Sequence, residues 1–329
     1  MSNDKNELLR LDHLCVDYKV KDGYLSAVKD VSFTINKGEI FAIVGESGCG
    51  KSTIAHAILR LLPEHNEVIT GNVWFNNENI NEYTETQLEK VRGRQIGMIF
   101  QNPLDSLNPV YTTGSQVQEG ILLDNVSRED AWKKVIEIYK DVKMPDAEKR
   151  AKSFPHEMSG GMRQRVMIGM MLARKPQLLI ADEPTTALDV TIEAQILKII
   201  KSLRDEFNTA VMMITHNFGL VAEVADKVAV MYAGEVVETG TVFDIFDEPK
   251  HPYTTRLMAA LPRMTKAEGR LQTIDGSVPR LTEHKSGCRF ANRCTHATEQ
   301  CKTQDPPMRE VSPTHSFKCF MEQGVDING

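Results

Sequence analysis

No apolar run in this sequence approaches the roughly 18–20 residues that a helix needs to cross a bilayer. That excludes a spanning helix and leaves any membrane role to a partner. The N-terminus, "MSNDKNELLR", lacks the apolar core of a signal peptide, so the chain is expected to stay in the cytosol. A basic excess is also missing. There are 39 Lys and Arg against 45 Asp and Glu, a net charge of −6, which argues against a nucleic-acid binder. Internal repeats and low-complexity tracts are absent, so the chain is no repeat array. What remains is ordinary for a globular protein: 329 residues, 41% hydrophobic and 26% charged, enough for one large domain or two to three smaller ones.

Three continuous apolar runs stand out. "IFAIVG" (40–45) is closed by glycine, "QLLIADEP" covers 177–184, and "AVMMITH" covers 210–216. Such runs suit strands buried on both faces of a parallel sheet. Between the last two, Ile192, Ile196, Ile199, Ile200 and Leu203 share one helical face. Strand, helix, strand predicts a parallel α/β core. Residues from about 85 to 160 carry charged helical segments such as "SREDAWKKVIEIYKDV" and no convincing buried strand, so they are expected to form a helical insert. "VAVMYAGEVVETG" predicts a late hairpin with Gly234 in its turn. From about residue 250 a Pro-, Gly- and Cys-rich tail is expected to form a separate small module.

The stretch "GESGCGKST" (45–53) sits between the first apolar run and the helical pattern "KSTIAHAILRLL". Gly45-x4-Gly50-Lys51-Ser52 is a complete P-loop pattern. Its glycines let successive N–H groups turn toward phosphate oxygens, and the helix that follows aims its positive end at the same place. Lys51 then faces the β- and γ-phosphates, and the Ser52 hydroxyl faces Mg²⁺. The competing reading is a glycine-rich turn with a solvated lysine; the flanking strand and helix weigh against it. Cys49 is expected to be a small filler.

Two carboxylates end the second run. A buried carboxylate is costly without compensation. Asp182 is therefore a candidate Mg²⁺ ligand, and Glu183 a candidate base for an attacking water. Two solvated acids would be the plain alternative. His216, after the third run, stands at the strand edge where ligands bind in α/β sheets, although a structural histidine would be ordinary there. Ser159, Gly160 and Gly161 precede a helix and offer a second anion-binding start, or a simple N-cap.

Together these motifs resemble those of ATP-binding-cassette ATPases: the P-loop, "SGGMRQR", "LLIADEP" and "ITH" occur in that order. Gln101 in "IFQNP" resembles the family's Q-loop and "TALD" (186–189) its D-loop. The segments "QNPLDSLNP", "DEPTTALDVT" and "HPYTTRLMAALP" are similar to those of the ATPase subunits of oligopeptide, dipeptide and nickel permeases, as is the tail "GCRFANRC". The resemblance implies an α/β, RecA-like P-loop NTPase core with an antiparallel β subdomain and a helical insert in residues 1–250, and a small Cys-rich module in 251–329. It implies an ATPase that drives import of di- or oligopeptides, with nickel or another small solute as the alternative. The implied location is peripheral, on the cytoplasmic face of the membrane. The implied partners are a second, non-identical ATPase subunit, two permease subunits and, indirectly, an external binding protein, with no nucleic acid.

By carry-over, Gly45, Glu46, Ser47, Gly48, Cys49, Gly50, Lys51, Ser52 and Thr53 hold ATP. Ser52, Gln101 and Asp182 hold Mg²⁺, Glu183 is the general base, and His216 grips the γ-phosphate. Ser159, Gly160 and Gly161 serve the partner's nucleotide, and Asp189 of the D-loop is also among the implied nucleotide-binding residues. Tyr18 is the implied adenine-stacking aromatic, with Tyr24 as runner-up. Met162 departs from the Gln common in the wider family. A soluble cassette ATPase acting on nucleic acid or ribosomes would be expected to carry two cassettes or a long coiled-coil insert, and neither is seen. A regulatory iron–sulfur protein with vestigial ATP binding sits poorly with Glu183 and His216 both in place.

Cys288, Cys294, Cys301 and Cys319 lie in the last 42 residues. Their spacing contains no C-x2-C. Structural zinc favours pairs two to four residues apart, so the wider gaps lean toward a four-iron four-sulfur cluster. Zinc and unligated thiols remain alternatives. The resemblance implies the same cluster. His296 and His315 are possible substitute ligands and are expected to be exposed.

Overall fold

A computed structural model describes residues 6–21, 23–63, 67–101, 106–185, 189–260, 279 and 286–325. The D-loop residues 186–188 therefore lie outside the described residues. Strands β1 (Glu7–Val20), β2 (Gly23–Asn36), β4 (Glu67–Phe75) and β5 (Glu78–Asn79) form an antiparallel sheet in the order β2-β1-β4-β5. This is the expected antiparallel subdomain. A second sheet contains β3 (Ile40–Val44), β6 (Ile96–Ile99), β7 (Leu178–Asp182), β8 (Ala210–Thr215), β9 (Lys227–Tyr232), β10 (Glu235–Thr241), β11 (Met308–Ser312) and β12 (His315–Lys318). Its order is β11-β12-β10-β9-β3-β8-β7-β6. The segment from β9 to β6 is parallel, while β10, β12 and β11 run antiparallel to their neighbours.

Every residue of β3, β7 and β8 is buried, as the three apolar runs predict. Alternate residues serve different cores. Ala42 and Val44 pack with the helical side; Phe41 and Ile43 pack against Leu11, Val28 and Ile35 of the antiparallel sheet. The helix Val190–Phe207 buries Ile196, Ile199, Ile200 and Leu203 on the face expected of it. The hairpin of β9 and β10 also forms as expected, with Tyr232 opposite Glu235 and Gly234 in the turn.

Three expectations need correction. The segment 85–160 does hold a buried strand: all four residues of β6 are buried and pair in parallel with β7. Four residues, one of them glycine, make too short an apolar run to separate from a helix by pattern. The helical lobe follows it, with Thr113–Leu122 and Arg128–Asp141 packed against Gly160–Leu172.

Second, the tail does not stand apart. β12 pairs with β10 through Glu238 and Phe317, covering an edge that would otherwise expose unpaired amides. Phe290 of the tail is buried, with its ring centroid 5.1 Å from Tyr232 and 5.4 Å from Tyr253. Third, His315 is buried rather than exposed. Its Nε2 lies 2.8 Å from Oε1 of Glu238, a fully buried carboxylate that also accepts from the backbone N–H groups of Lys250 (2.6 Å) and His251 (2.9 Å). His296 is exposed, as expected.

His251 caps the helix Pro252–Ala259, its Nδ1 accepting from the Tyr253 N–H at 3.1 Å. Complete burial pushes its pKa from 6.5 down to about 3, so the ring is neutral in the folded chain. The unfolded chain therefore binds a proton that the folded chain refuses between those two values. This contribution to stability is present above pH 6.5 and is lost as pH falls below it. Lowering the pH from 7 to 5 is expected to cost about 2 kcal/mol through this group. His251→Asn keeps a capping acceptor and should remove that share of the pH dependence in urea denaturation. An unchanged pH dependence in the variant would contradict it.

Candidate functional site

The loop 45–50 leaves the C-terminal end of β3 and turns into the helix Lys51–Ile58. Gly50 has φ +99, and a Cβ there would meet the Ala27 carbonyl oxygen at 2.5 Å, so both conformation and space demand glycine. Gly234 in the β9–β10 turn holds the loop from behind, donating its N–H to the Cys49 carbonyl at 2.8 Å. Ser47 and Gly48 form the exposed tip; Cys49 is fully buried, where its thiol pKa is raised by burial, in keeping with a filler. Lys51 is only 5% exposed. Its Nζ donates to the carbonyls of Gly45 (2.9 Å) and Glu46 (3.0 Å). An ammonium is thereby fixed in the glycine-rich loop beside a positive helix end, an arrangement suited to phosphate.

Ser52 at the start of that helix donates its hydroxyl to Asp182 Oδ1 at 3.0 Å. Asp182 ends β7 and is buried. Burial raises its pKa, opposed by the Ser52 hydrogen bond and by the charges of His56 and Lys51. A buried carboxylate beside a hydroxyl is an oxygen-rich pair of the kind that suits Mg²⁺.

Glu183, the next residue, takes a left-handed conformation (φ 47) and donates its N–H to the Ile214 carbonyl at 2.9 Å. Its Oε2 accepts from Gln101 Nε2 at 2.9 Å, and its Oε1 lies 3.2 Å from His216 Nδ1. Gln101, Glu183 and His216 follow β6, β7 and β8 respectively. Three loops at the carboxyl ends of adjacent parallel strands thus deliver one carboxylate, one amide and one imidazole to a single point, next to the Ser52–Asp182 pair.

Tyr18 of β1 is partly buried, and burial raises the pKa of its hydroxyl. Tyr24, by contrast, is 47% exposed. Ser159 caps the helix Gly160–Leu172 by accepting from the Met162 N–H. A Cβ at Gly161 would lie 2.8 Å from Ile192 Cγ2, so glycine permits the close approach of this helix to Val190–Phe207. Met162 packs against the core of the helical lobe. Asp189 is exposed at the N-cap of Val190–Phe207. Ser159, Gly160, Gly161 and Asp189 are thus carried by the helical lobe and its neighbouring helix, not by the P-loop.

Sequence reasoning missed what the tail does to Glu46. Arg293 Nη1 and Nη2 donate to the two Glu46 carboxylate oxygens at 2.9 and 3.1 Å. The Glu46 N–H donates to the Tyr253 hydroxyl at 3.2 Å. The sequence signal was slight: a tyrosine in "HPY" and an arginine before a cysteine, more than 200 residues from the loop.

Cys288, Cys294, Cys301 and Cys319 line one cavity of about 240 Å³. Burial pushes the Cys288 thiol up to about 12 and raises those of Cys294 and Cys319. Among the described residues, no three His, Cys, Asp or Glu side chains converge closely enough to hold a metal ion. Neither the iron–sulfur cluster nor the zinc alternative therefore finds a ready ligand set among the described residues. Among the described residues, no helix is long and apolar enough to cross a membrane.

Residues 28–186 match the family model described as ABC transporter, and residues 237–301 match that of the oligopeptide/dipeptide transporter C-terminal region. The chain is 47% identical to a "Probable peptide ABC transporter ATP-binding protein" of Sinorhizobium fredii, over 98% of both chains. It is 46% identical to the oligopeptide transport ATP-binding protein OppD of Bacillus subtilis, over 95% of this chain and 88% of that one. Among solved structures, the dimeric post-hydrolysis state of the ATP-binding cassette MJ0796, bound to ADP and Pi, is similar with a TM-score of 0.65 and 28% identity. That match covers 71% of this chain and 99% of the other. With a P-loop, a strand-end carboxylate held by glutamine and histidine, and relatives alike over nearly their whole length, the chain belongs to the family of ATP-binding subunits of oligopeptide and dipeptide ABC transporters.

Proposed function

We propose that this chain binds and hydrolyses ATP to energise import of di- or oligopeptides, as one of two ATPase subunits docked on the cytoplasmic face of a pair of membrane permeases. The observation that carries the reading is the meeting of Gln101, Glu183 and His216 beside Ser52 and Asp182. The names of the relatives supply peptide as the cargo. Nickel or another small solute is the alternative cargo within the same family. Restored uptake of labelled dipeptides, when the gene is returned to a strain lacking it, tests the substrate class. Normal uptake without the subunit would contradict it.

In this reading residues 45–53, through their free loop amides and the Lys51 ammonium, hold the β- and γ-phosphates, and Tyr18 stacks on the adenine. Ser52, Gln101 and Asp182 would hold Mg²⁺, which neutralises phosphate charge when bound. Glu183 takes the proton of the water that attacks the γ-phosphorus, and ADP leaves with the electrons of the broken P–O bond. Gln101 and His216, which flank the carboxylate, orient that water and the γ-phosphate. Ser159, Gly160, Gly161 and Asp189 face a nucleotide bound to the second, non-identical ATPase, so each site is completed by the partner. The similar cassette is dimeric with ADP and Pi bound, which motivates a paired arrangement here.

The four cysteines would hold a four-iron four-sulfur cluster that staples a tail poor in apolar residues. Supporting this is the cavity that the four cysteines share. Anaerobically purified protein is expected to be brown and to contain iron and sulfide in equal amounts, both lost in Cys294→Ser. A colourless, iron-free preparation would remove the cluster.

A further inference from the structure

Glu46 is held at three points. Its N–H donates to the Tyr253 hydroxyl, its carboxylate accepts the fork of Arg293, and its carbonyl accepts from Lys51 Nζ. Two of the three holders come from the tail. The Arg293 side chain is 6% exposed, and its guanidinium lies 5.6 Å from the centroid of the Tyr232 ring. The Arg293 carbonyl accepts from Arg256 Nη1 at 2.7 Å. Tyr253 is fully buried between Tyr232 and Phe290. Both holders are therefore rigid, and a bidentate guanidinium–carboxylate pair fixes direction as well as distance.

We propose that Arg293 and Tyr253 are positioning residues for the nucleotide loop. Through Glu46 they fix the carbonyl that anchors Lys51, so the tail sets the affinity of the P-loop for its nucleotide. This rests on the reading that the loop holds ATP. The catalytic group around Glu183 lies on other loops and is not touched by either residue. Loss of the tail contact also leaves the Lys51 ammonium itself in place, so it should appear chiefly in KM for MgATP rather than in kcat.

The test uses the assembled transporter with MgATP. Arg293→Ala is expected to raise KM about tenfold, the equivalent of 1.4 kcal/mol, with kcat within about threefold of wild type. Arg293→Lys, which keeps the charge and loses the fork, should fall between. Because both partners act through one contact, Glu46→Gln combined with Arg293→Ala should be no worse than Arg293→Ala alone. Lys29→Ala removes a different tie between body and tail, the 2.8 Å pair with Asp305, and should leave KM unchanged.

Wild-type KM in folded Arg293→Ala and Arg293→Lys complexes would overturn the proposal, as would full additivity with Glu46→Gln. Should Arg293→Ala fail to assemble, Arg293→Lys and Glu46→Gln decide the matter by the same criteria. A wild-type complex without saturable MgATP dependence would sink the underlying ATP reading instead.

Discussion

Replacing Glu183 with Gln is expected to lower ATP turnover by the assembled transporter about 10²- to 10⁴-fold, the range a positioned general base contributes. Gln matches Glu in size and keeps a side-chain oxygen that can accept from Gln101. The left-handed backbone at this position, φ 47, is no worse for Gln than for Glu. What the substitution removes is the capacity to take a proton from water. KM for MgATP should stay near the wild-type value, because the P-loop is untouched. Peptide uptake should fall with turnover. If Glu183 were only a structural partner of Gln101 and His216, the substitution would be nearly silent in turnover and would show chiefly in thermal stability. Steady-state phosphate release separates the two outcomes.

Lys51→Ala is expected to act differently, on both binding and turnover. The ammonium is buried and fixed by two loop carbonyls, so little reorganisation is needed to meet a phosphate. A charged hydrogen bond contributes about 1.5–3 kcal/mol, so MgATP affinity should drop about 10- to 100-fold. Removing a preorganised charge from the transferring phosphoryl group should cost a further 10² or so in kcat. The carbonyls of Gly45 and Glu46 would also lose a donor, so a fall of about 1–3 kcal/mol in stability should accompany the loss of activity. Isothermal titration with MgATP, alongside urea denaturation, resolves these contributions. Wild-type affinity in the variant would remove Lys51 from the site.

Much of the core was legible because burial on both faces writes itself as an uninterrupted apolar run. β3, β7 and β8 were each visible in that way, and the carboxylates and histidine stand where those runs end. β6 was not, since four residues with a glycine among them carry no usable period. The P-loop was readable because its chemistry needs a fixed spacing of glycines and one lysine. The meeting of Gln101, Glu183 and His216 could be expected only through family resemblance. Contacts across more than 80 residues leave no trace in local patterns.

The tail shows the same limit more sharply. Its polar, Cys-rich composition suggested a module standing apart. In fact β12 covers the edge of β10, and buried Glu238 gathers His315 and the amides of Lys250 and His251. The sequence distance between Arg293 and Glu46, 247 residues, hid a contact that ties this tail to the nucleotide loop. A polar tail can belong to the body of a protein when its charged groups find buried partners.

The most direct test compares MgATP binding and turnover in the same assembled preparation, for wild type and Glu183→Gln. The account predicts saturable, comparable binding in both, with turnover lost in the variant alone. No saturable binding by the wild type, or turnover unchanged in the variant, would contradict it.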